Sequence, residues 1–287
     1  MRNGWRSLLF VPADATRLLA KAHQRDADAV ILDLEDGVAP TAKPDARLRI
    51  AEESSRLAGK GVPVVVRVNA SWLDLIEDLR AAVGSSVRAI MLPKVEDAGQ
   101  VRAVAALIGE LELRAGLPQG ATCLLPLIET PAGLAEVGAL AATPRVIGLA
   151  FGGEDFSRAL TVPPAPATLG LPCQSVALAA RARGLMALGL PGSLADFQNL
   201  EAYAAIVTAG RALGMTGALC IHPAQVPIVN AGFGPTPEEI IWARRVLDLW
   251  ADVERTGSGV GSLEGRMIDK PVVDRARAIL ALNAPME

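Results

Sequence analysis

The stretch AVILDLEDGV, Ala29 to Val38, sets three carboxylates, Asp33, Glu35 and Asp36, just beyond a short apolar run. Charged and polar residues end other apolar runs too: Arg67 and Asn69 in VVVRVN, Lys94 in MLPKVED, Glu129 in LLPLIET, Glu154 and Asp155 in FGGEDF, and His222 in CIHPAQV. Carboxylates a few ångströms apart raise one another's pKa and resist burial, so a converging set of this kind needs a cation. Oxygen donors select a hard divalent ion, Mg2+ or Mn2+, held by two carboxylates, water and substrate. Zinc does not suit a chain with two histidines and three cysteines that form no CxxC pair.

Each candidate has a plainer role to set beside the chemical one. Glu129 and Asp155 could be loop caps or salt-bridge partners, although Glu129 closes an apolar run and Thr130-Pro131 opens the next element, which puts the carboxylate at a strand end. Arg67, a lone charge in an apolar run, either pairs with Asp33 or Glu35 or grips a substrate carboxylate or carbonyl oxygen with its guanidinium fork; the two roles are compatible. Lys94 could form a Schiff base, but Glu96 and Asp97 follow it and would stabilise the ammonium. His23 reads as a solvated helix residue, and His222 as ligand-facing or structurally hydrogen-bonded. No Ser or Cys stands in a nucleophile-elbow setting, so a hydrolase triad has no support.

Eight apolar runs must position these groups, starting at Ser7, Ala29, Pro63, Ala89, Cys123, Val146, Gly184 and Gly217, with Ala-, Leu- and Arg-rich segments of helical periodicity between them. Continuous rather than alternating runs indicate parallel strands covered on both faces, and eight βα units in about 220 residues predict a TIM (β/α)8 barrel, an α/β fold. An open doubly wound sheet competes, but no GxGxxG follows the first strand. In a barrel the C-terminal strand ends form the active face, where the charged residues above would converge. From about residue 235 the repeat stops. The segment TPEEIIWARRVLDLWADVE opens with Thr236 as N-cap, Pro237 at the first helical position and Glu239 three after the cap. The Gly-rich RTGSGVGSLEG follows a helix rather than a strand, so it reads as a hinge rather than a phosphate cradle. The expected organisation is a barrel over residues 1–234 and a helical extension and flap over 235–287.

A net charge of −3 with 21% charged residues leaves no basic face for nucleic acid. No stretch provides about 18 uncharged apolar residues, and the N-terminal apolar run is too short for a signal segment. Scattered single cysteines suit a reducing compartment. A cytoplasmic protein with no membrane or nucleic-acid partner is expected.

Taken together and in order, RSLLFVP, ILDLEDGV with Lys43 and Arg47 in APTAKPDAR, VVRVN, MLPKVE, LLPLIETPAGL, FGGEDF, CIHPAQV and GRMIDKPVV resemble the citrate lyase β-subunit-like CoA-ester lyases, relatives of malyl-CoA and citramalyl-CoA lyases. The resemblance spans nearly the whole chain. It implies a TIM barrel of the phosphoenolpyruvate/pyruvate type, assembled as a homotrimer or a dimer of trimers, with Mg2+ bound by Glu129 and Asp155. It also implies that Arg67 holds substrate oxygens while Glu35 and Asp36 organise metal-bound water. Asp269, which spacing alone would make a helix N-cap, corresponds to the general acid/base on a flap that closes over a neighbouring subunit's site.

The activity so implied is cleavage of a 3-hydroxyacyl-CoA such as malyl-, citramalyl- or citryl-CoA into an acyl-CoA and a 2-oxo acid. CoA is expected to enter past the first strand, with Phe10 and Lys21 as contacts, Lys21 for phosphate, and with His222 among the substrate-binding residues. Two rivals stand beside it: a metal-dependent 2-oxo acid aldolase that needs no CoA, and a non-catalytic acyl-CoA-binding paralogue. The chain departs from the family pattern at Ala13 (commonly Gly), Gln174 (commonly Arg) and Ala218 (commonly Lys), positions that bear on acyl and CoA contacts.

Overall fold

Val, Ile and Leu dominate the eight apolar runs, and their branched side chains favour extended backbone packed on both faces. In the computed structural model, which describes residues 4–195, 197–255 and 259–282, every run contains a strand. These are β1 (Ser7–Pro12), β2 (Ala29–Asp33), β3 (Val64–Arg67), β4 (Ala89–Leu92), β5 (Cys123–Ile128), β6 (Gly148–Phe151), β7 (Met186–Leu188) and β8 (Ala218–Cys220). All are parallel, in the order β7-β6-β5-β4-β3-β2-β1-β8. A parallel bridge between Leu188 and Gly217 closes the ring between β7 and β8. The fold is the TIM barrel that the periodicity predicts.

Alternation along each strand then decides which residues can meet. Leu8, Ala29, Ile31, Val65, Met91, Leu125, Leu127, Ala150, Leu188 and Leu219 fall in one interior cluster. The residues between them, Leu9, Val30, Leu32, Val66 and Ile90, are equally buried, which is why the runs are continuous in sequence. Each such side chain contributes about 1.5–3 kcal/mol of burial. One step further along the same inward alternation come Asp33 on β2, Arg67 on β3 and Glu129 just after β5. The register lines the first two up directly, with Pro12 opposite Asp33 and Asp33 opposite Arg67.

The connecting helices are α1 (Thr16–Leu19), α2 (Lys43–Ala58), α3 (Trp72–Ala82), α4 (Ala98–Arg114), α5 (Pro131–Ala135), α6 (Val137–Ala141), α7 (Gly153–Leu160), α8 (Pro166–Arg181) and α9 (Leu200–Ala212). Three of their starts are fixed by side chains. Asp97 accepts from the N–H groups of Gly99 and Gln100 to cap α4, Thr130 from Gly133 to cap α5, and Asn199 from Ala202 to cap α9; such caps are worth about 1 kcal/mol each.

Residues 5–230 form one compact unit, and those from Ala231 onward belong to a second; α10 (Val226–Gly232) runs across the division. The second unit contains α11 (Pro237–Arg255), a hairpin of β9 (Gly261–Leu263) and β10 (Arg266–Ile268), and α12 (Lys270–Leu282). Thr236 and Glu239 form the reciprocal capping box expected from their spacing, with N–H to carboxylate at 2.9 Å and N–H to hydroxyl at 3.2 Å. Ala243, Val246, Ile268, Val273, Ala276 and Ile279 make this unit's own core. The hairpin corrects the hinge reading for the stretch from Gly261. Glu264 and Gly265 both take positive φ, +52° and +76°, the two-residue reversal whose twist matches antiparallel strands. Residues 256–258 of the Gly-rich stretch lie outside the described residues. Among the described residues no helix is long and apolar enough to cross a membrane.

Candidate active site

The inward alternation of β2, β3 and β5 carries Asp33, Arg67 and Glu129 to one end of the barrel, with Glu35 two residues beyond Asp33. Asp33, Glu35 and Glu129 are 3%, 5% and 3% exposed. Asp33 is saturated: its Oδ1 accepts from Arg67 Nε at 2.7 Å and Glu35 N at 3.0 Å, and its Oδ2 from Arg67 Nη2 at 2.7 Å and Gly37 N at 2.9 Å. Four donors use the lone-pair sites of a carboxylate, so Asp33 has none to offer a metal. It fixes the turn after β2 instead. A Cβ on Gly37 would stand 2.4 Å from Asp33 Oδ2, so the turn can close on the carboxylate only with glycine there.

Arg67 therefore does pair with Asp33, as one of its two expected roles required. Its Nη1 also lies 3.1 Å from Glu35 Oε2, out of hydrogen-bonding alignment, since that buried oxygen has no hydrogen-bond partner. The Arg67 Cζ sits 4.7 Å from the centre of the Phe10 ring, a cation–π contact that steadies the guanidinium plane. Of five guanidinium N–H groups, Asp33 takes two; the others stay open to a ligand's oxygens. Burial opposes the Arg67 charge, but Asp33, then Glu35 and Glu129, outweigh it and raise its pKa above an already high value.

Lys94 binds this set to Glu129. Its main-chain N–H donates to Glu129 Oε2 at 2.8 Å, while its ammonium donates to Glu35 Oε1 at 2.5 Å and lies 3.5 Å from Asp36 Oδ2. Lys94 takes φ +51°, an uncommon conformation for a side chain of this type and one that recurs where function holds the backbone. Its neighbours in sequence are not its partners. Asp97 caps α4 and Glu96 accepts from the Thr130 hydroxyl at 2.7 Å; the expectation that these two stabilise the ammonium is corrected to Glu35 and Asp36.

Burial pushes the Glu129 carboxyl up to about 8; the Lys94 N–H works against the rise, and the charges of Glu35 and Asp155 add to it. Glu35 is raised as well, by burial first, with the Lys94 hydrogen bond and then Arg67 opposing. Gly152 leaves the Glu129 side chain its room, for a Cβ there would stand 2.6 Å from Glu129 Cγ and 2.9 Å from Oε1. Asp155, on the first turn of α7, is partly exposed and accepts from Arg158 at 2.8 Å. A buried carboxylate that two other carboxylates disfavour, in a space kept clear by glycine, fits a hard divalent cation with water completing the shell. Among the described residues no three His, Cys, Asp or Glu side chains converge as a protein-only cage.

Lys21 is exposed beyond α1. His222 follows β8, where its Nδ1 accepts from Ala224 N at 3.2 Å and its ring stacks on Phe197 at 4.5 Å. Asp269 lies in the C-terminal unit, its Oδ1 accepting from Val272 N at 3.3 Å at the start of α12. Glu154 points to the β7–α9 loop, accepting from Ser193 Oγ and Leu194 N.

A second polar network escaped the sequence reading. Asp78, fully buried on α3, accepts from Arg47 Nε at 2.5 Å and from Asn69 N and Nδ2 at 2.7 Å each. Asn69 Nδ2 also donates to Leu34 O at 2.9 Å, and Lys43 donates to Asn69 Oδ1. Asn69 thus pins the residue before Glu35 from behind. Lys43 and Arg47, placed four apart, were the visible signal, since a helix presents both on one face.

A model of the HpcH/HpaI aldolase/citrate lyase family matches residues 6–223. The citrate lyase subunit beta of Haemophilus influenzae is 35% identical over 281 residues, 96% of this chain and 95% of that one. A (3S)-malyl-CoA thioesterase of Cereibacter sphaeroides is 35% identical over 285 residues, 96% and 94% of the two chains. The CitE protein of Mycobacterium tuberculosis, solved in complex with magnesium, acetoacetate and coenzyme A, aligns with a TM-score of 0.78 at 32% identity, covering 99% of this chain and 100% of that one.

Proposed function

The chain belongs to the HpcH/HpaI aldolase/citrate lyase family, and from that premise we propose that it is a Mg2+-dependent carbon–carbon lyase acting on a 3-hydroxyacyl-CoA of the malyl-, citramalyl- or citryl-CoA kind. The observation that carries the reading is the buried Glu129 carboxyl, raised to about 8, facing Asp155 and joined through Lys94 to Glu35 and Arg67.

Glu129 and Asp155 would hold the Mg2+, or Mn2+ in its place, which when bound supplies electrophilic polarisation of the substrate's hydroxyl and adjacent carboxylate. Arg67, steadied by Asp33 and Phe10, donates its free N–H groups to the oxygen that becomes the carbonyl of the 2-oxo acid and to the neighbouring carboxylate. Glu35 and Asp36 order the surrounding water, which takes the hydroxyl proton as the C–C bond breaks. The electron pair of that bond passes to the α-carbon of the thioester, and Asp269 returns a proton to it, giving acyl-CoA and 2-oxo acid with atoms conserved. Phe10 and Lys21 would meet the CoA portion, Lys21 its phosphates, with His222 at the edge of the substrate site.

In this reading residues 1–234 are the catalytic barrel and 235–287 the flap, the flap of one subunit serving the next in a homotrimer or dimer of trimers in the cytoplasm. The solved relative's magnesium and coenzyme A support the choice of metal and substrate class. The test is a Mg2+-dependent assay on malyl-, citramalyl- and citryl-CoA that follows acyl-CoA, 2-oxo acid and free CoA separately, with Glu129→Ala beside it. Acyl-CoA and 2-oxo acid release, abolished by EDTA and by the substitution, supports the lyase. Free CoA without carbon–carbon cleavage points to a thioesterase, and cleavage of free 4-hydroxy-2-oxo acids alone to a CoA-independent aldolase.

A further inference from the structure

The loop between β7 and α9 is fixed at one residue from two sides. Glu154 Oε1 accepts from Ser193 Oγ at 2.5 Å and from Leu194 N at 3.1 Å, while Gln225 Nε2 donates to Leu194 O at 2.9 Å. Gln225 is fully buried, and its Oε1 accepts from Ile221 N at 2.8 Å and His222 N at 3.0 Å. Both main-chain groups of Leu194 are thereby tied, one to the residue before Asp155 on α7, the other to the turn that follows β8.

Parallel strands put this loop at the same barrel end as Arg67 and Glu129. The Leu194 side chain is partly buried and packs against the interior cluster, as does Phe10, whose ring lies against Arg67. The hydrogen bonds hold the Leu194 backbone in place and its packing against the cluster holds the side chain, so it excludes volume from the mouth.

We infer that Leu194 sets substrate size: it is the apolar side chain that meets the substituent at C2 of the 2-oxo acid half of the substrate. The inference rests on the lyase reading, in which Arg67 holds the carboxylate and carbonyl oxygens of that half. For malyl- and citramalyl-CoA that substituent is hydrogen or methyl, and it must then face whatever apolar surface borders Arg67.

The probes are glyoxylate, pyruvate and 2-oxobutyrate, titrated calorimetrically into the Mg2+-loaded full chain, a readout that needs no turnover. One methylene in an apolar pocket is worth about tenfold or more in discrimination. Leu194→Ala is expected to shift the affinity ratio of 2-oxobutyrate to glyoxylate upward by about tenfold and Leu194→Phe to shift it downward. Leu194→Met, which conserves volume, should hold it within about threefold. Melting curves of the three variants show that each is folded. Ratios that stay put while the acids bind overturn the inference and leave the lyase reading standing. If neither these acids nor oxaloacetate binds the wild-type chain, the lyase reading falls and the inference with it; if oxaloacetate alone binds, the inference is overturned and the lyase reading stands.

Discussion

Asp33 and Arg67, opposite each other on adjacent strands, are joined by two parallel hydrogen bonds of 2.7 Å, and neither side chain is more than 12% exposed. Two-point geometry of this kind fixes a guanidinium in orientation as well as position. The same carboxylate draws in the N–H groups of Glu35 and Gly37. One residue thus aims the arginine and folds the turn that carries Glu35 and Asp36, which explains why so much negative charge follows β2.

Asp33→Asn should therefore cost far more than a lost salt bridge. It removes the charge that compensates a buried guanidinium, and breaking a buried pair from one side typically costs about 3–5 kcal/mol. A clearly lowered melting temperature is expected. In the fraction that stays folded, kcat/KM of the lyase reaction should fall at least about a hundredfold, about 2.7 kcal/mol of transition-state stabilisation. Arg67→Lys, which keeps the charge but cannot make both bonds, should melt nearer the wild type and lose comparable activity.

Gly152→Ala tests the space around Glu129. The added methyl would stand 2.6 Å from Glu129 Cγ, and overpacking of this order costs about 1–3 kcal/mol. Displacing the Glu129 side chain is the simplest relief, so Mg2+ affinity measured by calorimetry should fall by about tenfold or more. The global melt should move by only a few degrees. Unchanged affinity would mean that Glu129 does not hold the metal.

Acid stability should depend on Glu112, on the outer face of the barrel. Its side chain is fully buried beside Arg145, with both oxygens at 2.9 Å from the guanidinium, and it accepts from the N–H groups of Thr122 and Gly120. Burial alone would raise its pKa, but Arg145 and the two N–H groups outweigh burial and hold it below the usual carboxylate range. A depressed folded-state pKa contributes stability that is present above the unfolded value, about 4.3, and lost as pH falls through the folded one. Glu112→Gln should lower the urea midpoint strongly at pH 7. The gap to wild type should narrow steadily below about pH 4.5, because the wild type then loses what the variant lacks.

The barrel was legible because each strand is buried on both faces, and a run such as AVILD leaves little else for the chain to be. The end of the barrel that bears charge was legible for the same reason: Asp33, Arg67 and Glu129 interrupt or close apolar runs. Partnership was not. Lys94 pairs across strands with Glu35, 59 residues away, rather than with the acids beside it, and nothing local in a sequence announces such a contact. Gln225 and Asn69 were equally hidden, since buried amides serve loops that only the folded barrel brings together. The β9–β10 hairpin was missed because its strands are three residues each and sit in a Gly-rich stretch, too short to display a period.

Lys94 offers two handles that substitution can separate. Its main-chain N–H holds Glu129, and its ammonium holds Glu35. Lys94→Gly keeps the first and removes the second, and glycine adopts the positive φ of this position without strain. The fold should weaken but persist: Lys94 is 32% exposed, but Glu35 is only 6% exposed and loses its ammonium partner, and removing one member of a buried pair costs about 3–5 kcal/mol, part of which Arg67 Nη1, 3.1 Å from Glu35 Oε2, offsets. Mg2+ affinity should stay within about threefold of wild type if the N–H is what places Glu129. Glu35, left buried with Arg67 as its nearest cation, should then draw on the guanidinium and compete with substrate oxygens. The expected signature is a raised KM and a kcat lowered by about tenfold at nearly constant metal affinity. Should metal affinity collapse while KM holds, the ammonium rather than the N–H would be the group that organises the carboxylates, and Lys94 would act on the metal through its charge.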